Sequence, residues 1–118
     1  MNIEAIREYC LKKNGVTEEF PFNEETLVFK VMGKMFALIP LEKIPLQMNL
    51  KCNPELVVDL RERYSAVRPG YHMNKKHWNT IFIDGSLRKE LLLKWIDHSY
   101  DLVVSGLKKS DKAKLQQL

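Results

Sequence analysis

The sequence is poor in the residues from which small proteins build staples and cofactor sites. Its 118 residues include two cysteines, Cys10 and Cys52, far apart and in neither a CxxC nor a metal-ligand spacing. Cys10 falls on a helical stripe and Cys52 ends a strand-like run, so both read as buried free thiols of a reducing compartment. Five glycines and five prolines are too few for a low-complexity linker. No apolar run approaches the roughly 20 residues that cross a bilayer, which argues against a membrane partner. Met1-Asn2-Ile3-Glu4 lacks the basic start and apolar run of a signal peptide, so the expected address is the cytoplasm. GxSxG, HExxH and a glycine-rich phosphate loop are all missing.

What the chain does have is enough apolar residue for one core and an uneven charge. Its mass of 13.9 kDa suits a single domain, and 45% hydrophobic with 29% charged residues is the balance of a folded chain. The formal charge is +4. Residues 1–66 carry nine basic and ten acidic side chains, whereas residues 67–118 carry ten basic, five acidic and all three histidines. A basic half points to an anionic partner, nucleic acid first; a soluble protein with a lysine-rich tail has the same composition.

Periodicity predicts a helix over residues 2–13, with Ile3, Ile6 and Cys10 on one stripe and Asn14-Gly15 as its stop. Residues 16–25 are polar, contain Pro21, and read as a loop or short extended piece. Residues 26–32 and 35–41 are β-rich and flank Gly33-Lys34, which as a two-residue connection with Gly first predicts a type II′ hairpin. Pro40 should end the second strand or mark an edge. In residues 46–52 Leu46, Met48, Leu50 and Cys52 alternate with Gln47, Asn49 and Lys51, the pattern of a half-buried antiparallel strand. Asn53-Pro54-Glu55 opens a helix with Leu56, Leu60 and Tyr64 on its buried stripe. Pro69-Gly70 predicts a turn, residues 78–84 a strand, and Ser86 the cap of a final helix over about 87–106 closed by Gly106. Strands clustered early without βαβ alternation give an α+β domain over residues 1–107, an antiparallel sheet with helices on one face. Residues 108–118 form a basic tail expected to fray.

The segment 69–78 is the densest in chemistry, with Lys75, Lys76, His72, His77, Tyr71 and Trp78 in ten positions. Lysine and histidine suit phosphate oxygens, and tyrosine and tryptophan offer stacking faces. The same residues also suit a structural role, with Trp78 in the core and Tyr71 tying the loop to the sheet. His72 and His77, five apart with no carboxylate between them, do not make a metal motif, so no metal or other cofactor is expected. Asp97-His98-Ser99 places acid, base and hydroxyl side by side, but helical neighbours point about 100° apart and cannot form a triad. Ser99 should pack against a helix or cap locally, and His98 should lie at the surface. No enzymatic activity is expected.

Several stretches occur together and in order. They are residues 15–22 (GVTEEFPF), 26–31 (TLVFKV), 49–52 (NLKC), 69–78 (PGYHMNKKHW) and 96–100 (IDHSY). In this the chain resembles the MmcQ/YjbR family across roughly residues 1–107. The resemblance implies a CyaY-like (frataxin-like) α+β fold and a DNA-binding protein with a "double wing" arrangement, and it supplies no catalytic residues. Frataxins handle iron with an acidic ridge on the first helix. Here that helix sets Glu4 and Glu8 among Arg7, Lys12 and Lys13, so iron handling is not implied.

Two functional readings follow. In the first, Lys75, Lys76, His77 and Lys51 meet the phosphates of double-stranded DNA, Tyr71, His72 and Trp78 shape the contact, and Lys34 adds one from the hairpin. Binding would be weak and independent of sequence, because no helix dense in Arg, Asn or Gln is present to read bases. In the second, the same loop lines a pocket for an anionic small molecule or a peptide. The charge suits a monomer or weak dimer in either case.

Overall fold

The computed structural model describes residues 1–70 and 73–118. Its elements are α1 (Ile3–Leu11), β1 (Val16–Glu19), β2 (Thr26–Val31), β3 (Lys34–Pro40), β4 (Leu46–Lys51), α2 (Pro54–Arg63), β5 (Val67–Pro69), β6 (Trp78–Ile83), α3 (Lys89–Ser105) and α4 (Lys109–Gln116). The strands form one antiparallel sheet in the order β1-β2-β3-β4-β6-β5. The class is α+β, as the strand clustering predicts.

Alternation divides the sheet into two faces. Leu27, Phe29, Val31, Phe36, Ala37, Ile39, Met48, Leu50 and Ile81 turn to the helices and form the main core with Ile6, Cys10, Leu92, Trp95 and Ile96. Val28, Leu38 and Trp78 turn the other way and form a small second cluster that no helix covers, with Met35 and Met73 packed against it. A β-bulge makes this division possible in β3. Phe29 pairs with Ala37 and Lys30 with Met35, so Phe36 is an extra residue and both Phe36 and Ala37 face the helices.

The bulge takes the Phe36 carbonyl out of the ladder, and a helix side chain replaces the missing partner. Ser99, fully buried on α3, donates its hydroxyl to Phe36 O at 2.6 Å and accepts the Lys51 N–H at 2.9 Å. The next two backbone donors are also taken: Cys52 N–H by His77 O at 2.7 Å and Asn53 N–H by His98 Nε2 at 3.2 Å. The chain thus leaves β4 with three consecutive amides satisfied from three places. Asn53 then caps α2 by accepting the Glu55 N–H at 2.9 Å.

Several expectations are corrected. The β2–β3 turn is Met32-Gly33, with φ of 50° and 79°. Two positive values belong to a type I′ turn, whose twist matches the strands it joins; Lys34 is already in β3, opposite Val31. Residues 16–19 form an edge strand, and Pro69 ends a short strand before the turn. Pro40 does end β3, the first of the two expected alternatives, and β3 lies inside the sheet. On α2 Leu60 and Tyr64 of the expected stripe pack against the core, but its first member is Val57, with Leu56 exposed. Ser86 does not cap α3: its N–H and hydroxyl both bond Asp84 Oδ1, an Asx turn that delays the helix to Lys89. His98 is half-buried, held by Asn53 N–H.

Residues 108–118 do not fray. Leu107 and Leu115 are both 6% exposed in the main core, and Asn14 Nδ2 donates to Leu115 O at 2.7 Å. Burying a leucine contributes about 1.5–3 kcal/mol, enough to hold two turns of helix against their lysine repulsion. Gly15, at φ +71°, lets α4 come close: a Cβ there would lie 2.5 Å from Leu115 Cδ1.

Ser99→Ala strands a buried carbonyl and a buried amide and is expected to cost about 1–3 kcal/mol in urea unfolding. A loss below a few tenths would mean the bridge is dispensable. Burial pushes the Cys10 thiol up to about 12 and raises that of Cys52. Neither should react with a thiol-disulfide reagent at pH 8 until denaturant is added, and rapid native labelling would contradict their placement.

Candidate functional site

The strand directions sort every loop to one of two ends of the sheet. β2 ends, β3 begins, β4 ends and β6 begins at one end, so the segments 12–15, 32–34, 51–55 and 73–77 meet there, and α4 joins them through Asn14. With residues 106–118 these segments hold ten lysines against Glu55 and Asp111. At the opposite end the segments 1–4, 20–25, 41–45 and 84–88 hold five carboxylates against Lys43 and Arg88. The molecule is electrically polar along its strands, a feature invisible to a halfway division of the chain.

Four of the sequence-derived site residues lie at the lysine end. Lys34 opens β3 and is exposed; Lys51 ends β4, directly opposite Trp78 in the ladder; Lys75 and Lys76 project from the turn before β6. None of the four makes an ion pair among the described residues. His77 is half-buried, with its carbonyl engaged by Cys52 N–H. Trp78 is 9% exposed and packed between Val28 and Leu38 in the second cluster, so its ring is core and offers no free stacking face. Tyr71 and His72 lie outside the described residues.

The organiser of the lysine turn is Arg61, a residue that composition counted only as charge. From α2 its Nε donates to Asn79 Oδ1 at 2.7 Å, and its Nη2 donates to the carbonyls of Lys75 and of Trp78, the latter at 3.2 Å. Asn79 is buried and donates in turn to Val57 O at 3.4 Å. Asn74 adds an Asx turn, its Oδ1 accepting Lys76 N–H at 2.9 Å. With its carbonyls drawn toward α2, the turn presents both lysine side chains to solvent. The sequence signal was faint: Arg61 is one of several charged residues in the second half of α2, and Asn79 is a polar residue near the start of a strand.

Asp97, His98 and Ser99 serve three separate contacts. Asp97 accepts from Tyr9 Oη at 2.7 Å and from Lys13 Nζ, and the Tyr9 phenol is pushed up to about 12, first by burial and then by this hydrogen bond. His98 and Ser99 engage the β4 exit. Among the described residues no group of three His, Cys, Asp or Glu side chains converges on a metal-sized site, and no helix is long and apolar enough to cross a membrane.

The face without helices bears a groove of about 840 Å³ between the loops 20–25 and 41–45 and the loop before β6. Met35, Leu38 and Pro40 form its floor, Met73 and Asn74 one wall, and Phe22, Glu25, Glu42 and Lys43 its far rim. Neither Lys51 nor Trp78 lines it.

Arg61→Met removes three hydrogen bonds from one charged group and leaves Asn79 Oδ1 buried. It is expected to lower stability by about 1.5–3 kcal/mol and to speed amide exchange at His77 and Trp78. Arg63→Met, which breaks only the exposed i,i+4 pair with Asp59, should cost about 0.5 kcal/mol or less. Equal effects in chemical denaturation would contradict the clamp.

Comparison with known proteins agrees with this architecture. The YjbR family model matches residues 11–102. The chain is 33% identical to the uncharacterized protein YjbR of Escherichia coli K12, over the full length of both. It is 39% identical to the uncharacterized protein YbdF of Escherichia coli O157:H7, with 96% of this chain and 93% of that one covered. The crystal structure of Deinococcus radiodurans protein DR2400, described as a DUF419 domain, superposes with a TM-score of 0.92 at 38% identity, covering 98% of this chain and 88% of that one. A Pseudomonas syringae crystal structure superposes at 0.74 with 32% identity, covering 86% of this chain and 98% of that one. With a family match across most of its length and full-length relatives above 30% identity, the chain belongs to the YjbR family.

Proposed function

We propose that this protein is a binding protein rather than an enzyme, and that its lysine-rich end contacts the phosphate backbone of double-stranded DNA without reading sequence. The observation that carries the proposal is the convergence of Lys34, Lys51, Lys75 and Lys76, from three separate loops, on one end of the sheet without carboxylate partners among the described residues. Lysines of α4 extend the same field. A fixed, unpaired cluster of this kind neutralises phosphates and releases their counterions, which gives affinity but no base preference. The buried Trp78 fits this reading, because backbone contact needs no stacking platform. The second reading, an anionic ligand in a pocket lined by this loop, has less support: the groove that the loop borders carries Glu25 and Glu42 and excludes Lys51.

Fluorescence anisotropy of labelled duplex DNA across a salt series tests the proposal. Non-specific affinity of about 10⁻⁴–10⁻⁶ M is expected at physiological salt, with a log–log slope of about −0.9 per phosphate neutralised. Lys75→Ala with Lys76→Ala should shallow that slope by about 1.8. Truncation of α4 would open the core at Leu115, so its share is read from a variant with Lys108, Lys109, Lys112 and Lys114 changed to Gln. No binding at low salt, or an unchanged slope in the Lys75/Lys76 variant, would refute this interface.

A further inference from the structure

We infer that the groove on the helix-free face of the sheet is a binding site for a small amphipathic organic cation, an apolar body carrying an amine or other positive group. The inference rests on the groove and not on the DNA reading, and only the near wall, Met73 and Asn74, belongs to the loop that carries Lys75 and Lys76.

Volume and lining set the first half of the ligand's description. About 840 Å³ falls in the range of sites that enclose drug-sized molecules. Met35, Leu38 and Met73 give the groove an apolar floor and wall, and Met35 and Met73 are only partly buried. Methionine side chains are flexible and polarizable and adapt to bodies of different outline. Phe22, 63% exposed at the rim, has apolar surface that a bound body would cover.

Charge sets the second half. Glu25 and Glu42 line the far rim with Lys43, and neither carboxylate is ion-paired among the described residues. This far rim belongs to the acidic end of the molecule, so the field at the rim favours a cation, while the opposite wall lies beside the lysine turn. The rim is also prebuilt. Asn23 Oδ1 accepts the N–H groups of Glu25 and Thr26, each at 2.8 Å, and Leu41 N–H donates to Glu25 O at 2.8 Å, which ties the two rim loops together. Gln47 and Thr26 add uncharged polar groups along the side, suited to orienting a ligand.

The test uses three fluorescent probes of similar apolar size on the full-length protein: cationic auramine O, neutral N-phenyl-1-naphthylamine and anionic 1-anilinonaphthalene-8-sulfonate. The cation should bind at least about tenfold tighter than the anion, the scale of one partly solvated charge pair. Gln47→Trp fills the groove from a half-buried strand position on the helix-free face and should abolish binding while circular dichroism stays unchanged. Glu25→Gln with Glu42→Gln should erase the preference for the cation yet leave the neutral probe bound. Binding that survives in folded Gln47→Trp protein would overturn the inference, as would equal affinity for cation and anion. A second copy of the chain seated in the groove would also overturn it, and would appear as a dimer in sedimentation velocity whose growth displaces the probe.

Discussion

One serine hydroxyl carries the junction on which the rest of the structure depends. The bulge at Phe36 lets two consecutive β3 residues face the helices, and its cost is a carbonyl with no ladder partner. Ser99 supplies that partner and at the same time receives the first amide of the β4 exit. A single buried hydroxyl therefore locks α3 to the two central strands at the point where the chain turns toward α2. Left unmet, those two backbone groups would each cost about 1–3 kcal/mol, a large share of the stability of a domain this size. Exposed pairs such as Arg7–Glu18 operate on a smaller scale.

From that junction the geometry of the lysine turn follows. The β4 exit donates a hydrogen bond from Cys52 N–H to the His77 carbonyl, and α2, started by Asn53, carries Arg61 to the carbonyls of Lys75 and Trp78. The loop before β6 consequently has two aspects. Met73 and Trp78 turn onto the uncovered sheet face, whereas Lys75 and Lys76 turn outward. Antiparallel topology does the remainder, since loops alternate between the ends of the sheet and gather distant lysines at one of them. The same alternation places the glutamate-rich rim of the groove at the other end.

Much of the fold was legible in the residues. Asn53 caps α2 where capping chemistry places it, and the alternation of Leu46, Met48 and Leu50 identifies the correct inward face of β4. Where the reading of single elements failed, strand pairing or core packing was responsible in most cases, and a nearby Asx turn in one. Met32-Gly33 replaced Gly33-Lys34 because β2 and β3 pair one residue further than propensity indicates. Ser86 was drawn to Asp84, and the basic tail became a helix because Leu115 finds the core beside Gly15. Of the candidate site, the lysines were legible as charge, while Arg61 was not legible as their clamp and Trp78 read equally well as surface or core.

Composition and periodicity were sufficient for the class of the fold, the identity of most elements, the free thiols and the basic character of the second half, because each is set by side chains within a few positions of one another. The common end shared by Lys34, Lys51, Lys75 and Lys76, the bridging role of Ser99, and the groove over Met35 and Leu38 belong to the tertiary structure alone. Strand order and register decide which loops meet, and no local pattern contains them. A bulge of one residue in β3 is enough to change which side chains face the helices and which line the open face.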